Sequence, residues 1–133
     1  MKHVLVVEDD PHNAVVFRKI LEKRAGCRVT VTESVEELMR HATGGGIDLV
    51  IMDVSLAQAR WQGRAVSGVD LCRVLREDPR SAAIPIVIAS AHAMRGDAER
   101  LLAESGANEY VAKPIVDHAA FVRQIHDLLQ EAA

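Results

Sequence analysis

Apolar positions along the chain gather in four short continuous runs: Val4-Leu5-Val6-Val7, Leu49-Val50-Ile51-Met52, Ile86-Val87-Ile88-Ala89 and Tyr110-Val111-Ala112. Runs this short and unbroken suit strands buried on both faces of a parallel sheet. A fifth, Arg28-Val29-Thr30-Val31-Thr32, alternates polar and apolar residues and predicts an edge strand. Helical patterns lie between them. Val16, Phe17, Ile20 and Leu21 recur at helical spacing behind Pro11, which suits a first helical turn. Ser34-Val35-Glu36-Glu37 has the form of a capping box and opens a helix ending at Gly44-Gly45-Gly46. Val69 to Arg76 predicts a third helix, stopped by Asp78-Pro79, and Asp97 to Ser105 a fourth, closed by Gly106. Val116 to Gln130 predicts the last, with Ala119, Val122, Ile125 and Leu129 on one stripe.

Strand and helix thus alternate five times without an internal repeat. That order implies an α/β fold: a doubly wound parallel sheet with right-handed crossovers and helices on both faces. Ligands of such sheets bind beyond the carboxyl ends of the strands. At 133 residues the chain is expected to form one domain, with no room for a second of ordinary size. Sixteen basic against 19 acidic residues (net −3) and 3% aromatics argue against direct nucleic-acid binding. The apolar runs are too short to span a bilayer, and Glu8, Asp9 and Asp10 interrupt the region where a signal peptide would be apolar. A cytoplasmic location without membrane attachment is expected. Cys27 and Cys72 lack C-x-x-C spacing and read as ordinary thiols. His3, His12, His41, His92, His118 and His126 form no zinc-binding pattern.

The residues that follow the strands carry the chemistry. Glu8-Asp9-Asp10 follows the first strand, Asp53 the third, Ser90 the fourth and Lys113-Pro114 the fifth. Topology brings these positions to one cleft, although Asp10, next to Pro11, reads most simply as a helix cap. Clustered carboxylates repel unless a cation sits among them, and all-oxygen donors suit Mg²⁺, with Mn²⁺ a second candidate. Asp53 is then a carboxylate nucleophile for a phosphoryl group. Asp9 would hold the metal, with Glu8 acting through water, and Lys113 would stabilise a phosphoryl oxygen. Such transfer depends on positioning and electrostatics and needs no additional acid or base.

This constellation resembles the receiver domain of two-component response regulators. The matching pieces are Val4 to Pro11, Leu49 to Asp53, Ala89-Ser90-Ala91 and Tyr110 to Pro114, in the family's order. The stretch Ala91 to Asp97, followed by Lys113-Pro114-Ile115, looks most like stand-alone, DivK-type cell-division regulators. The resemblance implies a flavodoxin-like (βα)5 fold with strand order 2-1-3-4-5. It further implies phosphorylation of Asp53 from a phosphohistidine on a sensor histidine kinase or histidine phosphotransfer protein. Glu8, Asp9, Asp53 and the backbone carbonyl of Ser55 would form the metal site. Ser90 and Tyr110 would be the switch pair, acting on the face formed by the fourth helix, fifth strand and last helix. That face would then meet a downstream protein target or a second copy of the chain.

One segment departs from the family. The usual loop after the nucleophile often contains Met-Pro, whereas Leu56-Ala57 stands here, and Gly68 arrives only 15 residues after Asp53. Residues 58 to 67 read as an insertion holding Trp61, Arg60 and Arg64. It is either a longer loop on which Trp61 packs, or a docking element or partial lid, with Arg60 or Arg64 near the phosphoryl. His92 reads as a loop or surface histidine rather than a cleft residue. Only 19 residues follow Pro114, enough for the last helix, so no output domain is expected. The protein would be a signalling receiver, not an enzyme with an external substrate. The alternative is a pseudo-receiver, a binding module that never takes phosphate. A haloacid-dehalogenase-type phosphatase would want an acidic residue where Ser55 stands, and a flavodoxin-like cofactor binder would not place Glu8-Asp9-Asp10 in its phosphate loop.

Overall fold

The computed structural model describes residues 1–91 and 96–131. Its elements are β1 (His3–Val7), α1 (Pro11–Lys19), β2 (Arg28–Thr32), α2 (Val35–Thr43), β3 (Leu49–Asp53), β4 (Arg60–Trp61), β5 (Arg64–Ala65), α3 (Gly68–Glu77), β6 (Ile86–Ser90), α4 (Asp97–Ser105), β7 (Glu109–Ala112) and α5 (His118–Glu131). Five strands form one parallel sheet in the order β2-β1-β3-β6-β7. Counting its own strands only, that is 2-1-3-4-5, the doubly wound order expected.

Alternation along each strand divides the core in two. Leu5, Val7, Val50, Met52, Ile86 and Ile88 face α2, α3 and α4, where they meet Leu38, Leu71, Leu75 and Leu101. Val4, Val6, Ile51, Val87 and Ala89 face α1, the π-helical turn Ile20–Arg24 that continues it, and α5, where they meet Phe17, Leu21, Phe121 and Ile125. Phe17 and Phe121 join those two helices through tilted rings 5.9 Å apart. Burying each large aliphatic side chain contributes about 1.5–3 kcal/mol, so this double layer holds the strand ends in register.

Four expectations need correction. Tyr110-Val111-Ala112 is not buried on both faces: all four β7 residues are half-buried, because β7 is the second edge of the sheet. The last helix begins at His118 rather than Val116, since the Asp117 carboxylate accepts the Ala120 N–H at 2.9 Å and caps it. Its buried stripe is Phe121, Ile125, Leu128 and Leu129; Ala119 points outward. The capping box at Ser34 is only half formed. Ser34 accepts the Glu37 N–H, but the Glu37 carboxylate takes the Thr32 hydroxyl at 2.7 Å, and Thr32 takes the Ser34 N–H. A complete capping box stands instead at Ser67 and Asp70, opening α3.

Residues 58–67 contain more than a loop. β4 and β5 pair antiparallel across Gln62 and Gly63, both at positive φ (53° and 79°), as a type I′ hairpin turn requires. Trp61 packs against the core on the α3 side, and a groove of about 850 Å³ runs between the hairpin and α3. Arg60 and Arg64 are exposed, and neither is among the groups bonded to Asp53. His92 lies outside the described residues.

Candidate functional site

β1 and β3, the two central neighbours, end side by side and deliver Glu8 and Asp53 to the same point. Glu8 N–H bonds the Thr32 carbonyl at 3.1 Å, which extends the β1–β2 ladder by one residue and fixes its backbone. Asp53 is held by its own strand and by the bond from Val54 N–H to the Ala89 carbonyl at 2.9 Å. Lys113 enters from the far edge, its N–H on the Ser90 carbonyl at 2.9 Å.

The Lys113 ammonium donates to Asp53 Oδ1 at 2.7 Å and to Glu8 Oε1 at 2.9 Å. All three side chains are at most 7% exposed. Asp9 completes the group: Glu8, Asp9 and Asp53 each offer an oxygen within 4.8 Å of the others. Burial, together with the Asp53 carboxylate, pushes Glu8 up to about 7 despite the bond from Lys113. Burial opposes the Lys113 charge, but its bonds to Asp53 and Glu8 carry its pKa above the ordinary lysine value. Three carboxylates against one ammonium leave a formal charge of −2 in a mostly buried pocket. Hard oxygen donors with that deficit fit a divalent cation of the Mg²⁺ type. The residues present therefore suit the metal.

Asp10 does not join them. Its carboxylate accepts the His12 N–H at 2.9 Å and caps α1, and its own N–H binds Glu8 Oε2 at 3.2 Å. Ser55 lies past the strand end and is exposed, with its N–H 3.4 Å from Asp53 Oδ1. Ser90 is buried at the end of β6, where it lines a groove between α3 and α4 with Val54, Asp97 and Leu101. Tyr110 packs on the α3 side of the core, and its enclosed hydroxyl has no hydrogen-bond partner among the described residues.

Two contacts escaped sequence reasoning. Gly68 opens α3 directly on the Asp53 backbone: a Cβ there would collide with the Asp53 carbonyl oxygen. The late glycine after the insertion was the visible signal. The second is the Ala57 N–H, which donates to Asp9 Oδ2 at 3.0 Å across 48 positions of sequence.

The pattern of the response regulator receiver domain matches residues 4–126. The polar-differentiation response regulator DivK of Brucella ovis is 32% identical over 131 residues, covering 98% of each chain. The receiver domain of a sensor histidine kinase from Pseudomonas aeruginosa PAO1, solved with magnesium coordinated in its active-site cleft, superposes with a TM-score of 0.80. Its identity is 27%, over 97% of this chain and 98% of that one. The receiver domain of a signal transduction histidine kinase from Syntrophus aciditrophicus superposes equally well, with TM-score 0.80, 25% identity and coverage of 98% and 92%.

Proposed function

Because the chain belongs to the response regulator receiver domain family, we propose that it accepts a phosphoryl group on Asp53 from a phosphohistidine and signals through the change that follows. The observation that carries this reading is the Lys113 ammonium bridging Asp53 and Glu8 beside Asp9. An Asp53 oxygen attacks the phosphorus, the phosphorus–nitrogen bond to the donor imidazole breaks, and an acyl phosphate forms. Lys113 stays within reach of the transferred group and stabilises its oxygens. Asp9, Asp53 and the Ser55 carbonyl would hold Mg²⁺, with Glu8, both of whose oxygens are engaged by Lys113 and Asp10, acting through water. When bound, Mg²⁺ neutralises charge on the transferring phosphoryl. Mg²⁺ is the ion coordinated in the cleft of the Pseudomonas aeruginosa domain.

The switch follows from charge. A phosphoryl adds about −1.5 to −2 charges and draws the Ser90 hydroxyl. Tyr110 moves with it: its buried hydroxyl, without a partner among the described residues, carries a cost of about 1–3 kcal/mol that a second ring position relieves. The face of α4, β7 and α5 then alters its contacts with a protein target or a second copy. The donor is a sensor histidine kinase or histidine phosphotransfer protein, the setting is the cytoplasm, and residues 1–133 act as one receiver. Among the described residues no helix is long and apolar enough to cross a membrane.

Intact-protein mass after incubation with a small phosphodonor tests this. Wild type should gain one phosphoryl only with Mg²⁺, and Asp53→Asn should gain none. No adduct and no Mg²⁺ binding in wild type would leave a pseudo-receiver.

A further inference from the structure

The residue just before the insertion touches one of the metal-site carboxylates through its backbone. Ala57 stands where the family often has proline, and proline has no N–H to give. Here that N–H exists and donates to Asp9 Oδ2 at 3.0 Å. Ala57 is held firmly enough to act as an anchor. Its neighbours Leu56 and Ala59 are buried in the core, and Val66 N–H bonds the Ala59 carbonyl at 3.1 Å, closing the base of the hairpin.

We infer that the Ala57 amide is a positioning group that pre-orients Asp9 for Mg²⁺, so that the loop leading into the insertion tunes the metal affinity of the cleft. Of the three carboxylates, Asp9 is the most exposed, and unlike Asp53 and Glu8 it has no bond to Lys113. Without an anchor its side chain would lose rotamer freedom on metal binding. With Oδ2 fixed, its other oxygen remains for the cation beside those of Glu8 and Asp53. Hydrogen bonds to ligating carboxylates act this way generally, and losing one typically costs about 10–100-fold in metal affinity. The inference rests on the reading of the cleft as a Mg²⁺ site.

Calorimetric titration with Mg²⁺ tests it on wild type, Ala57→Gly, which keeps the N–H, and Ala57→Pro, which removes it. Ala57→Pro should raise the dissociation constant roughly tenfold, and Ala57→Gly should stay within about twofold of wild type. Equal affinity in all three overturns the inference and leaves the receiver reading standing. Absence of Mg²⁺ binding in wild type overturns both. A second measurement needs no change at position 57. The Ala57 amide proton of metal-free protein, read by NMR, should lie downfield and move upfield in Asp9→Ala. A resonance indifferent to Asp9→Ala overturns the inference even if Ala57→Pro does not fold.

Discussion

Among the described residues, Lys113 is the only cation bonded to the two buried carboxylates, and its removal separates structural from chemical roles. Breaking a buried ion pair from one side leaves uncompensated charge and costs about 3 kcal/mol or more. Lys113→Met, measured by urea unfolding without metal, should lose about 3 kcal/mol. Its phosphoryl yield should fall as well. Unchanged stability would mean that the ammonium is solvated rather than bridging. His3 offers a second test at the opposite end of β1. Arg28 donates to its Nδ1 at 3.0 Å, so the ring proton is on Nε2, which donates to Thr30 Oγ1 at 2.7 Å. Burial first, then Arg28 and His41, lower its pKa below 6.5, against a smaller opposing pull from Asp48. The neutral form is favoured in the fold, so its contribution is complete above pH 6.5 and is lost as pH falls through the folded-state value. Stability should therefore decline on acidification below pH 6.5, and His3→Gln should flatten that part of the profile. An identical slope in His3→Gln would assign the acid loss elsewhere.

Among the helices, α3 connects the site to the end of α4 and the start of β7. Its first residue, Gly68, abuts the Asp53 carbonyl, and its last turn carries Arg76. The Arg76 guanidinium donates to the carbonyls of Ala82 (2.9 Å), Ile84 (2.6 Å) and Gly106 (3.0 Å) and to Asn108 Oδ1 (2.8 Å). Asn108 in turn accepts the Ile86 N–H at 2.8 Å. One side chain thus secures the loop before β6, the end of α4 and the start of β7. Arg73 adds a bond to the Glu104 carbonyl. Arg76→Met keeps the apolar stem but strands these acceptors, and should cost about 2 kcal/mol or more. Amide hydrogen exchange should also rise around residues 105–108. Unaltered exchange there would show that apolar packing alone holds the end of α4.

At the scale of the molecule, what was readable in the sequence divides by physical cause. Continuous apolar runs recovered the strands of a parallel sheet, because burial leaves a one-dimensional mark, whereas their order came from the family resemblance. Glu8, Asp9, Asp53 and Lys113 were legible because topology alone brings parallel strand ends together. Asp10 was correctly separated as a cap by its neighbour Pro11. What stayed hidden depends on contacts across the chain: the Ala57 amide on Asp9, Arg76 reaching four acceptors, and Thr32 diverting Glu37 from Ser34. The hairpin at residues 60–65 was also missed, since its strands are two residues long and Gln62-Gly63 is an uncommon turn pair.

The whole account turns on where the phosphoryl resides. After phosphorylation in the presence of Mg²⁺, borohydride reduction converts an aspartyl phosphate to homoserine, and peptide mass mapping then locates it. The account predicts homoserine at position 53 alone, absent without Mg²⁺. Phosphoryl on a histidine or serine, or homoserine at Asp9 or Asp10, would contradict it.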